Sequence, residues 1–186
     1  MDRYFEQQLA HHCAPALAGI KPACLFSCFY KDFPRFEEML AEYQAVFAAK
    51  GIRLRVLFRC ARRFLVLVYR ETALALHLHR QDVRAALTAD GYPPCGELEC
   101  CLKRLQARCV DGGIPHEVGL FLGYPVRDVL AFQQCKGRGC LLCGYWKVYH
   151  DPDTARATFA RYDRCRDAVC RRLEGGKTLA QLFCAA

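Results

Sequence analysis

Phe36, Met39, Leu40, Tyr43, Val46 and Phe47 recur at the spacing of a single helix face and predict a helix over residues 33–50. Asp32 stands where it could cap the start, and Gly51 falls just past the end. Leu54, Val56 and Phe58 then alternate with Arg53, Arg55 and Arg59, the pattern of a strand with one buried and one solvated face. Residues 64–69 are apolar at every position, so they predict a central strand covered on both sides, paired with the first in a hairpin. Earlier in the chain, residues 2–13 predict a helix that stops at Pro15, and Ala23–Phe29 a strand that ends at the Lys31-Asp32 turn.

Helical patterns follow over residues 71–90 and 97–109, interrupted by Gly91-Tyr92-Pro93-Pro94. Pro125 suits the first position of a further helix, and residues 145–149 read as a short strand. Asp151-Pro152-Asp153 combines a capping side chain, a proline at the first helical position and an acid in the first turn. It opens a long helix whose core stripe is Ala155, Phe159, Tyr162, Cys165, Val169 and Leu173, and residues 179–183 add a last short turn. The elements sum to an α+β fold, a small and mainly antiparallel sheet packed by several helices. With 186 residues and no repeat, linker or low-complexity tract, one domain over 1–186 is the simplest organisation.

Apolar residues make up 53% and charged residues 25% of the chain, a globular balance. No apolar run reaches the roughly 18 residues that a membrane-spanning helix needs. Met1-Asp2-Arg3-Tyr4-Phe5-Glu6 offers neither a basic nor an apolar leader segment, so no signal peptide is expected and the cytoplasm is the expected compartment. That compartment changes the reading of 14 cysteines. In cytosol they are expected to stay reduced and to serve mostly as small hydrophobes. Such a content also fits an organism that meets little oxygen.

The formal charge is +8 and the pI about 8.9. Arg53, Arg55, Arg59, Arg62 and Arg63 gather on the hairpin and could bind phosphate or nucleic acid. Single-strand binders interleave aromatics on the same face, whereas Phe58 and Phe64 fall elsewhere, so solvated decoration is the competing reading. The arginines of the last long helix alternate with Asp163 and Asp167, as on a wet face. His77 and His79 are two residues apart, the wrong interval for a helical metal pair, and are expected at the surface.

Four stretches carry a family resemblance: residues 12–21 (HCAPALAGIK), 115–125 (PHEVGLFLGYP), 144–149 (GYWKVY) and the hairpin ending in Val66-Leu67-Val68-Tyr69-Arg70. Together they resemble the bacterial family designated domain of unknown function 3793, found largely in anaerobic Firmicutes. The resemblance implies a single-domain cytoplasmic protein from an anaerobe and brings no catalytic residues with it.

Two groups could carry chemistry. The first joins His12, Cys13, Lys21, His116, Glu117 and Lys147, reactive or polar types set in apolar segments punctuated by Gly and Pro. A cysteine near a basic partner can be a thiolate nucleophile with histidine as base, and Cys, His and carboxylate can also ligate a metal. His12 and Cys13 are neighbours on a helix and point about 100° apart, so a site would need residues from different segments. The competing reading is that these groups bond to backbone at helix ends and turns.

The second group is Cys135, Cys140 and Cys143, a C-x4-C-x2-C loop with the spacing of plant-type iron–sulfur ligands, for which Cys165 or Cys170 could be a fourth. A metal ion or cluster there competes with buried or loop thiols. These patterns leave non-catalytic binding of a metal, small ligand or redox partner as the leading expectation. A thiol-dependent enzyme using Cys13 with a histidine base is one alternative, and phosphate or nucleic-acid binding through the hairpin arginines is another.

Overall fold

The computed structural model describes residues 2–94, 96–109 and 113–184. Its centre is a three-stranded antiparallel sheet of β1 (Ala23–Phe29), β2 (Ile52–Arg59) and β3 (Arg63–Arg70), in the order β1-β3-β2. The strand apolar at every position is thus the middle one, as its pattern predicts. Phe64, Val66 and Val68 turn to one core and Leu65, Leu67 and Tyr69 to a second on the opposite face.

The first core is closed by α1 (Arg3–Leu17), α2 (Phe36–Ala48), the carboxyl half of α8 (Pro152–Glu174) and α9 (Leu179–Phe183). The second is closed by α3 (Glu71–Leu78), α4 (Gln81–Ala89), α5 (Leu98–Arg108), α6 (Val118–Phe121) and α7 (Val126–Cys135). A two-stranded ribbon, β4 (Leu142–Cys143) with β5 (Lys147–Val148), joins α7 to α8.

Several local expectations change. α1 runs two residues past Pro15, because a proline near the last turn removes one backbone donor without blocking the final carbonyls. Those carbonyls find donors elsewhere: Arg70 Nε donates to Leu17 O at 3.0 Å, and the Ile20 amide to Pro15 O at 2.9 Å. α2 begins at Phe36 with Arg35 at its cap, and Asp32 does not cap it. The helical stretch after β3 divides into α3 and α4 at His79-Arg80.

In β2 a bulge between Val56 and Phe58 inserts Leu57 and switches it to the second core, so the alternation does not run through to Phe58. At α8 the capping signal holds: Asp151 takes a left-handed conformation and its carboxylate accepts from the Thr154 amide at 3.1 Å.

Candidate functional site

The loop before α6, helix α7 and the β4–β5 ribbon enclose a cleft of about 320 Å³. Ile114, Val118, Val129, Phe132, Tyr124 and Trp146 give it apolar walls, and His116, Asp128, Cys143 and Lys147 are its polar contributors. Local packing dictates its shape. A Cβ on Gly119 would stand 2.9 Å from Val129 and 3.0 Å from Tyr124, so only glycine lets α6 meet α7 this closely. A Cβ on Gly144 would overlap the ring of Phe159, which presses the ribbon onto α8.

Asp128 is the hub of the wall. It is 2% exposed, and both carboxylate oxygens are engaged. Oδ2 accepts from the Trp146 indole at 2.8 Å. Oδ1 accepts from the amides of Tyr149 and His150, each at 3.0 Å, and lies 3.1 Å from His150 Nδ1. Two backbone amides and an indole therefore compensate a buried charge and fix the ribbon against α7. Sequence reasoning missed this residue: an acid in the first turn of a helix is common decoration at the positive end of the helix dipole.

Lys147 reaches back across the ribbon. Its ammonium donates to Gly137 O at 2.7 Å, just beyond the carboxyl end of α7, and stands 5.8 Å from the centre of the Phe132 ring. The His116 ring meets the same phenyl edge-on, 5.1 Å between centroids. Cys143 stands directly opposite Lys147 in the ribbon register and lines the cleft with it.

Of the first group of candidates, the cleft thus unites His116 and Lys147 and leaves the others outside. Glu117 points away from it into the second core. It is 1% exposed, accepts from Tyr92 Oη at 3.0 Å and is ion-paired with Arg108, an internal structural arrangement. His12 is exposed beside His11 and stacks near Phe26. Partial burial and the neighbouring His11 lower its pKa.

Cys13 is fully buried in the first core, next to Cys24. Burial and the hydrogen bond with Cys24 push its thiol well above the ordinary range, so it stays protonated. Lys21 is also buried, its ammonium 5.0 Å from the centre of the Tyr124 ring and 5.7 Å from that of Tyr162. Burial lowers its pKa, with Cys24 and Cys13 pulling the other way. Cys24 is lowered by the hydrogen bond from Cys13 and then by Lys21.

The second group does not gather. Cys135 ends α7, Cys140 lies in the following loop and Cys143 faces the cleft; Cys165 and Cys170 lie along α8. Among the described residues no three His, Cys, Asp or Glu side chains come together as a metal would require. Cys95 lies outside the described residues.

On the hairpin, Arg53, Arg55 and Arg59 are ion-paired with Glu71, Glu99 and Glu37 at 2.9, 2.7 and 2.6 Å, which compensates much of that positive stripe. His77 is a correction. It is half-buried and bonds through Nε2 to Leu120 O at 2.8 Å, tying α3 to α6. Among the described residues no helix is long and apolar enough to cross a membrane.

The model of the family described as "Protein of unknown function (DUF3793)" matches residues 9–183, and the chain belongs to that family. The match covers the cleft, the second core and all of the first core's buried residues except Phe5. No curated protein and no solved structure shows a significant match to the chain.

Proposed function

We propose that this member of the DUF3793 family binds a small organic ligand, without catalysis, in the cleft between α6, α7 and the β4–β5 ribbon. The carrying observation is the composition of that cleft. Apolar and aromatic walls converge around a few polar groups held in place by their own hydrogen bonds, the usual make-up of a small-molecule site. Its volume of about 320 Å³ falls at the small end of such sites. The catalytic alternative through Cys13 lacks support, since that thiol is enclosed and protonated.

Trp146 is the only tryptophan in the chain and forms part of the wall, so its emission reports on occupancy. A mixed set of neutral, acidic and basic small molecules is expected to contain compounds that change this emission and raise the thermal midpoint together. Val118→Phe, which fills the cleft, is expected to abolish both responses with the fold intact. Responses that persist in that variant would move the ligand elsewhere and sink the reading.

A further inference from the structure

Resting on that reading, we infer that the cleft selects a small carboxylate with a flat apolar body, its anionic head at Lys147 beside Cys143. Three observations carry the charge. Lys147 has three N–H donors, and Gly137 O takes one, which leaves two for a guest. Among the described residues no carboxylate forms an ion pair with Lys147. The one carboxylate in the wall, Asp128, is 2% exposed and already surrounded by donors, so it does not offer a cation an open oxygen.

The remainder of the guest follows from the walls. Phe132, Tyr124 and Trp146 present aromatic surface, and Val118, Val129 and Ile114 complete an apolar lining with few polar groups to satisfy. Flat apolar matter gains most from such walls. An ammonium beside an apolar wall, partly shielded from water, attracts an anion more strongly than an exposed lysine does. A carboxylate head on an aromatic or unsaturated body fits both halves of the site, whereas a phosphate-rich or polyhydroxylated molecule would bring polar groups that the walls leave unbonded.

Cys143 supplies the test, because it lies opposite Lys147 in the ribbon and its thiol opens into the same cleft. Iodoacetate and iodoacetamide alkylate thiols by the same displacement: the S–C bond forms, iodide leaves and the thiol proton passes to solvent. They differ mainly in a carboxylate against a neutral amide. The ratio of their rates at Cys143 is to be measured by mass spectrometry in native protein, in urea-unfolded protein and in Lys147→Met. The ratio is expected to be at least about threefold higher in native protein than unfolded, and to fall back in Lys147→Met. A native ratio equal to or below the unfolded one would overturn the assignment of an anionic guest.

A second measurement keeps the two readings apart. Benzoate, phenylacetate and cinnamate are titrated against their amides, with Trp146 emission as the signal. The acids are expected to bind and to lose roughly tenfold or more in Lys147→Met, as for a charge-assisted hydrogen bond. Equal binding of acids and amides, unchanged in Lys147→Met, would overturn the carboxylate while leaving small-ligand binding intact. No response from either set, with none from any compound in the mixed set, would overturn both.

Discussion

The ammonium of Lys21 stands 5.0 Å from the centre of the Tyr124 ring, and the thiols of Cys24 and Cys13 are the groups that draw it toward its charged form. Tyr145 and Tyr162 complete the aromatic enclosure, and Cys165 lies close enough to feel Cys24. A buried cation is stable only beside compensating charge or quadrupole, and this arrangement offers three rings and one acidified thiol.

Stability is therefore expected to depend on pH through Cys24. Its pKa is lowered in the folded state, so its contribution is fully present above the ordinary thiol value of about 8.5 and is lost as pH falls through the folded value. Lys21 slopes the same way: the cost of burying its charge is complete below its folded pKa and gone above about 10.4. Cys13, raised, acts oppositely, costing stability only above about 8.5. Urea midpoints of the wild type and Cys24→Ser are expected to diverge in favour of the wild type as pH rises from neutrality toward about 8.5. A difference that stays flat would remove the thiolate–ammonium pair.

Asp128→Asn tests the hub of the cleft. An amide keeps one acceptor for the Tyr149 and His150 amides but turns a donor toward the Trp146 indole, or the reverse. A loss of about 2 kcal/mol is expected, typical of a buried bond to a charged group. It should come with a shift in Trp146 emission, and an unshifted spectrum at unchanged stability would show that the indole does not rely on the carboxylate.

Gly144→Ala is expected to cost about 1–3 kcal/mol, the range for overpacking, because the added methyl overlaps Phe159. Gly139→Ala meets nothing within 4 Å, and its cost is expected to come only from backbone strain at φ +68°, about 1 kcal/mol. The two mechanisms separate in a cycle with Phe159→Leu, which should relieve the first substitution and leave the second unchanged. Equal relief of both would refute the steric account.

Arg108→Met leaves Glu117 buried without its counter-charge and is expected to destabilise by about 3 kcal/mol. The double change Arg108→Met with Glu117→Leu removes both charges and should recover much of that loss. Chemical denaturation of the wild type, of each single variant and of the double variant decides it. A double variant as unstable as the sum of the two single changes would show no coupling between the charges and refute their mutual neutralisation.

The sheet and the capped helix were legible because their signals are local. Phe64 to Tyr69 are apolar at every position only because two cores need them, and Asp151-Pro152-Asp153 carries its own cap. The bulge at Leu57 was not legible, since one inserted residue changes facing without changing composition.

The cleft was half legible. His116 and Lys147 stand out in sequence as polar residues in apolar segments, while Cys143 reads as part of a spacing motif and Cys13 as a partner of the histidines. Only the ribbon register, which sets Cys143 against Lys147, and the burial of Cys13 redistribute them. Asp128 carried no distinguishing signal, because its four partners come from residues 18 to 22 positions later.

The amide of Leu179, at the start of α9, donates to Glu6 Oε1 on α1 at 3.1 Å, across 173 positions of sequence. α1 also lies along α8, which packs into the same core. During synthesis at the ribosome, the apolar face of α1 emerges long before α8 and α9 and obtains its last covering only when they have followed. Contacts of such long sequence separation close late and slowly. A nascent chain ending before residue 152 would leave the α8-facing side of α1 uncovered, although β1 and β3 already pack on it.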